Sequence, residues 1–174
     1  MACDTLTTGR KLPCKTGFGG IKVVYFANFG TLGAVTFDAD NNITAFAGTP
    51  TWFQYDVKGS SSLETAINSS RENGTTFYAQ TLNLTLTYLD NDTKEEIQLL
   101  AVGRPHLVVE DYLGNQFLCG YENGVECNGG TIVTGAAAGD LSGFTLTFEG
   151  QEEKAPYYID AGVVSASATQ ITPN

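Results

Sequence analysis

Bases are scarce in this 174-residue chain: nine Lys and Arg stand against 19 Asp and Glu, and there is one histidine. The resulting net charge of −10 repels a nucleic-acid backbone instead of neutralising it, which excludes nucleic-acid binding as the bulk function. The lone histidine, His106, offers no second cluster for a structural zinc site. The cysteines Cys3, Cys14, Cys119 and Cys127 are too widely spaced to supply one. No metal and no cofactor is therefore expected. Long apolar runs are also missing, since residues 21–27 and 99–102 fall far short of the ~20 residues a membrane span needs. The opening Met1-Ala2-Cys3-Asp4 has neither a basic flank nor an apolar stretch, so the expectation is cytoplasmic synthesis with reduced thiols. Cys3/Cys14 or Cys119/Cys127 would pair only after release to an oxidising exterior. Five sequons, at Asn42, Asn68, Asn73, Asn83 and Asn91, are then by-products of a Thr- and Asn-rich sequence, not glycan acceptors.

What is present is 42% hydrophobic residues, enough over this length for one core and one domain. The charge is unevenly placed. Residues 1–74 hold six bases and six acids, whereas residues 75–174 hold three bases and 13 acids and so carry the whole −10. Such segregation suggests faces with different neighbours, with uneven solvated surface as the alternative.

Twenty glycines with many Thr, Asn and Ser residues punctuate short apolar segments, a rhythm of strands and turns. Residues 21–27, rich in β-branched and aromatic side chains, read as a core strand after the breaker Gly17-Phe18-Gly19-Gly20. Residues 34–37 and 43–46 flank an Asx-rich turn and read as a hairpin. Residues 51–57 alternate with aromatics on both faces, as a strand covered on both sides does. Residues 58–89 predict a long hairpin arm. Its first half is extended and poor in apolar bulk, its turn is Arg71-Glu72-Asn73-Gly74, and its second half (75–89) alternates Gln80, Leu82, Leu84, Leu86 and Tyr88 with Thr81, Asn83, Thr85 and Thr87. A 15-residue strand spans about 50 Å, so it must bend or project toward another molecule. Asp92-Thr93-Lys94-Glu95 has the form of a capping box opening one helix over 93–102, with Ile97, Leu100 and Ala101 on one face and Gly103 and Pro105 ending it. Its expected role is to plug an open face. Residues 106–111, 116–121, 130–135 and 144–150 read as further strands, and 151–174 as a tail or a strand added to a neighbour.

Chemistry-bearing patterns are weak. The glycines at 17–20 precede a strand and lack the Lys-Ser/Thr of a phosphate loop. His106 has no nucleophile context. Of the carboxylate pairs Glu95/Glu96, Glu110/Asp111 and Glu152/Glu153, the strand pair Glu110/Asp111 points to opposite faces, and solvated charge is the simpler reading for all three. Trp52, Tyr55, Tyr78 and Tyr88 could offer stacking faces to a sugar, or simply fill a core.

The phrases KGSSSLETAINSSRENGTTFYAQTLNLTLTYLD and RPHLVVEDYLGNQFLCGYENGVECNGGTIVTGAAAGDLSGFTLTFEG, with the helix between them, resemble the major tail tube proteins of tailed bacteriophages, whose fold is shared with the inner tubes of contractile injection and type VI secretion systems. The resemblance covers about residues 20–150. It implies a mainly β fold, a β-sandwich or small barrel with one short flanking α-helix and a long β-hairpin arm. It also implies a non-enzymatic virion structural protein, assembled in the host cytoplasm and self-assembling into stacked hexameric rings that form the conduit for genome ejection. Partners would be copies of itself, tape-measure and terminator proteins and a sheath where the tail contracts, with DNA passing through but not specifically bound. Six copies carry a charge of −60, which would keep DNA from adhering to the lumen. On this reading the chain divides into an N-terminal extension (1–20), a tube domain (21–150) and a C-terminal arm (151–174). The expected subunit contacts are Gly59, Ser60, Leu63, Ile67, Arg71, Glu72, Asn73, Gly74 and Phe77 in the hairpin and Tyr157, Tyr158, Val163 and Val164 in the tail. The segment 1–15 has no counterpart in the family's pattern. Alternatives are a capsid decoration or head-to-tail connector protein, or a carbohydrate-binding adhesin domain.

Overall fold

The computed structural model describes residues 8–57, 59–168 and 170–172. Among them, the chain runs β1 (Ile21–Ala27), β2 (Val35–Phe37), β3 (Ile43–Phe46), β4 (Phe53–Asp56), β5 (Ser62–Ser70), β6 (Thr75–Thr87), α1 (Asn91–Val102), β7 (His106–Asp111), β8 (Gln116–Cys119), β9 (Glu126–Val133), β10 (Gly143–Glu152) and β11 (Tyr157–Ile159). The strands form a seven-stranded sheet A, in the order β2-β3-β11-β8-β7-β1-β4, and a four-stranded sheet B, in the order β5-β6-β10-β9. Neighbours are antiparallel except β3 and β11.

The period-two pattern of the sequence explains the stacking. Leu82, Leu84 and Leu86 of β6 and Phe144, Leu146 and Phe148 of β10 face Val24, Phe26, Leu107, Val109 and Cys119 of sheet A in one shared core. The fold is therefore a mainly β sandwich with one short helix. Phe26 and Phe148 bridge the sheets with ring centroids 5.1 Å apart. Each such side chain contributes about 1.5–3 kcal/mol on burial.

The middles of β1 (Val23 to Ala27) and β7 (Leu107 to Val109) read as apolar runs without alternation because sheet A is covered on both faces. Val23, Tyr25 and Val108 point away from sheet B into a second core with Leu32, Ile43, Trp52, Leu118, Ile159 and Val164. Trp52 precedes the edge strand β4, whereas Phe46 lies in β3 near the opposite edge, and their rings are 5.7 Å apart. Sheet A thus curls until its margins meet. Residues 51–57 send aromatics to both sides, as expected, but the cover is partial: Trp52 enters the second core, while Tyr55 packs edge-on against Phe26 in the first, with centroids 5.3 Å apart, and stays half-buried together with Phe53 and Gln54.

Several boundaries depart from the sequence reading. The alternation of 75–89 stops at Thr87, and Tyr88, expected on the buried face, is 58% exposed at φ 80°, where the backbone turns out of the sheet. The helix cap is Asp90, not Asp92. The Asp90 carboxylate accepts the amides of Thr93 (2.9 Å) and Asp92 (3.3 Å), and Thr93 adds its hydroxyl. Two Asp residues compete for one helix start, and the one that also recruits the Thr93 hydroxyl prevails. Glu95, expected to reach back to the cap, instead accepts the Asn91 side-chain amide at 3.4 Å. The inward stripe of α1 passes through Thr93, Glu96, Ile97 and Leu100, leaving Ala101 exposed.

β9 starts at Glu126, well before residue 130. Asn128-Gly129-Gly130 resembles a breaker, but a Cβ at Gly130 would collide with the Thr145 carbonyl of β10. Glycine here permits close strand approach and does not end the strand. The segment after 151, read as a tail for a neighbour, completes this chain's own sheet. β10 continues to Glu152, β11 lies between β8 and β3, and Val164 (3% exposed) closes the second core.

Candidate functional site

Sheet B is the unfinished part of the molecule. Its terminal strands β5 and β9 each have a ladder on one side only, which leaves a row of backbone groups on the outer side of each; α1 packs against β9, whose register against β10 shifts once, so β5 is the barer edge. Neither strand carries the Lys or Pro that proteins place on edges to block pairing; indeed, no Lys, Arg or His occurs in any of the four strands of sheet B.

The β5–β6 hairpin also outruns its support. β5 pairs with β6 from Ser62↔Asn83 to Ser70↔Thr75, but β10 pairs with β6 only as far as Tyr78↔Glu152. Beyond that point Asn68↔Phe77, Ser69↔Thr76 and Ser70↔Thr75 stand as a two-stranded ribbon, projecting roughly 10 Å plus the turn. The long strand pairs with β5 without a register shift. Most of it is held in sheet B and its tip overhangs. The tip is closed by Arg71-Glu72-Asn73-Gly74, with Gly74 at φ 62°, and Ser69 and Thr76 share a hydroxyl hydrogen bond of 3.0 Å. A ribbon of two strands is marginal by itself. Ile67 and Phe77 at its base are 69% and 36% exposed.

The expected contact residues fall into two groups. Gly59, Ser60, Ile67, Arg71, Glu72, Asn73, Gly74 and Phe77 are exposed on or beside the hairpin. Leu63, by contrast, turns inward against the sandwich core. In the tail, Tyr158 is exposed beside Phe117, with centroids 4.8 Å apart. Tyr157 packs between Phe37 and Tyr121, and Val163 and Val164 pack on the second core.

The outer face of sheet B is polar and acidic. Thr131 and Thr145 are hydroxyl-bonded at 2.6 Å, and Thr147 donates to Asn83 at 3.1 Å. Register places Glu64, Thr81, Glu149 and Glu126 in one row across all four strands. This acidic row was not read from the sequence, because three glutamates far apart in the chain align only once the register is known.

The groups tested for chemistry are tied into the fold. His106 is buried, accepts the Gly30 amide at Nε2 (3.0 Å) and so donates from Nδ1 to the Gly120 carbonyl (2.7 Å). Burial lowers its pKa, with Arg104 adding to that effect against the Gly120 bond. The Gly120 amide in turn donates to Gln80 Oε1 at 2.9 Å, linking the two sheets. Glu110 and Asp111 diverge: Glu110 holds Lys22 (3.1 Å) and Gln116 (2.9 Å), while Asp111 holds the amides of Leu113 and Asn115. Glu152, read as solvated charge, is buried and accepts the amides of Glu122 and Asn123; burial pushes its pKa up. Cys119 and Cys127 are free thiols, and burial pushes Cys119 up to about 12. Cys14 is exposed, and Cys3 lies outside the described residues. Trp52 is buried, Tyr55 and Tyr78 are half-buried, and Tyr88 is exposed, so the four aromatics share no face. No described helix is long and apolar enough to cross a membrane, and the described residues contain no cluster of three or more His, Cys, Asp or Glu side chains suited to a metal.

A second concavity lies along the sandwich flank beside α1. Phe53, Tyr55 and Leu86 floor a groove of about 500 Å³ whose rim carries Asp56 and Glu96 and whose far wall is Gln170 and Ile171. Burial and the Glu96 charge push the Tyr55 phenol up to about 12. The period-two aromatics of 51–57 were the sequence signal for this floor. In comparisons with known proteins, no family model, no curated protein and no solved structure matches the chain.

Proposed function

We propose that the protein is a virion structural subunit of the tail tube kind, which joins copies edge to edge through sheet B into stacked hexameric rings around a lumen. The observation that carries this reading is the contrast between the two sheets: sheet A curls back on itself over a second core, whereas sheet B ends in two strands laddered on one side only and carries an overhanging hairpin. Closing a ring would pair β5 of one copy with β9 of the next and abolish both edges. Six four-stranded sheets make a 24-stranded barrel. At about 4.8 Å per strand and a tilt near 40°, its backbone walls stand roughly 45–50 Å apart, wider than the roughly 16–18-stranded barrels that already hold an aqueous channel.

The outer face of sheet B would then line the lumen with threonines and the Glu64–Glu149–Glu126 row. A wall without cations repels phosphate, so DNA passes without adhering. Negative-stain electron microscopy of the concentrated protein tests the reading. Rings or stacked cylinders are expected, and Ile132→Lys, which puts a charge on the β9 edge, should remove them. A protein that stays monomeric at all concentrations overturns it.

A further inference from the structure

The stretch before β1 is opposite in character to the rest of the chain. Residues 8–20 contain Arg10, Lys11 and Lys15 and no acid, while residues 21–174 hold six bases and 18 acids, a net −12. Every residue from 8 to 20 is exposed, and none is in a strand or helix. Among the described residues, its ring contact with the body is Phe18 against Tyr112, with centroids 5.1 Å apart. Leu12, between Lys11 and Pro13, is 97% exposed. An apolar side chain flanked by three cations has a complement on this molecule: the groove beside α1, with its aromatic floor of Phe53 and Tyr55, its acidic rim of Asp56 and Glu96, and no basic residue among the described residues of its lining; Asp56 accepts only the neutral amides of Gln54 (2.8 Å) and Gln170 (3.4 Å) and so keeps its charge without a cation among them.

We propose that the N-terminal arm of one copy docks in the α1 groove of a neighbouring copy, Leu12 seated on Phe53 and Tyr55 and the Arg10, Lys11 and Lys15 cations against Asp56 and Glu96. Reach allows it, since residues 8–17 extended span about 33 Å, and the Phe18 contact with Tyr112 leads the arm toward the β7–β8 turn, across β1 from the groove-forming strand β4. The contact deepens the self-assembly reading and rests on it. It would brace the edge-to-edge joint with a second, salt-sensitive one.

Native Cys14 is two residues from Leu12, so it provides the probe. In a Cys3→Ser, Cys127→Ser background carrying Asp56→Cys, a short bis-maleimide is added to the assembled protein and the products are run on a denaturing gel. A ladder of covalent multimers that disappears when Cys14→Ser is added supports the proposal. The triple charge reversal Arg10→Glu, Lys11→Glu, Lys15→Glu should raise the concentration needed for assembly at least tenfold at low salt, and Asp56→Lys with Glu96→Lys should restore it. Crosslinking within single chains only means the arm folds back on its own groove and overturns the proposal. Rings or tubes by microscopy without any 14-to-56 crosslink also overturn it and leave the assembly reading standing, whereas the absence of both rings and crosslinks overturns the two together.

Discussion

Glu126 stands directly opposite Glu149 in the β9–β10 ladder, one carboxylate facing another on the outer face of sheet B. Like charges in this relationship destabilise a sheet; the Asn128 amide donates to Glu149 at 3.0 Å, and Arg104 lines the same concavity without forming an ion pair with either among the described residues. Glu126→Gln is expected to stabilise the isolated subunit by about 0.2–1 kcal/mol, measured by urea unfolding at low salt. The gain should shrink in high salt. No gain at low salt would mean that Asn128 already offsets the repulsion.

The hairpin overhang is expected to matter for joining and not for folding. Replacing residues 68–77 with Asn-Gly, so that a two-residue turn connects Ile67 to Tyr78, keeps the β5 pairs that abut sheet B. Thermal unfolding should change by no more than about 1 kcal/mol of stability, as for surface changes away from special features, while rings and tubes disappear from micrographs. A wider deletion of 60–75 would not be a clean test, because it removes Leu63 from the core and the Ser61 hydroxyl that accepts the Thr85 amide at 3.0 Å.

Acid should loosen the joint between the sheets through His106. Its folded-state pKa is lowered, first by burial and then by Arg104, so the unfolded chain takes up the proton first as pH falls below about 6.5. The stability contributed by the neutral ring is complete above that pH and declines as pH falls toward the folded-state value. Protonated Nε2 can no longer accept the Gly30 amide. His106→Phe should flatten this part of the pH–stability curve while costing about 1–3 kcal/mol at pH 7 from the unpaired Gly30 and Gly120 groups. An unchanged slope would place the titration elsewhere.

Along α1, two apolar positions should respond in opposite ways. Ile97 is 5% exposed in the sandwich core, and Ile97→Ala is expected to cost about 2–5 kcal/mol. Leu99, 68% exposed, faces away from the body, and Leu99→Ser should stay within about 0.5 kcal/mol by the same chemical denaturation.

β1 and β7 were legible to the residue because their β-branched and apolar centres lie just after the breakers Gly20 and Pro105, which fix where each strand starts. The apolar side of β6 from Leu82 to Leu86 was equally plain from its period of two. Tyr88 was not: a single left-handed backbone step removes it from the alternation, and its side chain gives no sign of that. Nor did Tyr157-Tyr158-Ile159 reveal that it would slot between β8 and β3, since three residues specify a strand only through partners far back in the chain. The same limit applied to the site. The hairpin and its turn were written locally, but the acidic row of sheet B and the pairing of groove floor with groove rim exist only after distant segments are brought into register.

The second core on the far side of sheet A has a consequence for the order of events in the cell. Both faces of that sheet are covered by its own chain, so its two cores draw on no neighbour's side chains. On the assembly proposed above, copies would meet with this sheet already complete, and the rate of growth would be set by their concentration and the alignment of their edges. Synthesis and construction would then be separable steps, and a pool of subunits could be stocked before the first ring is laid down.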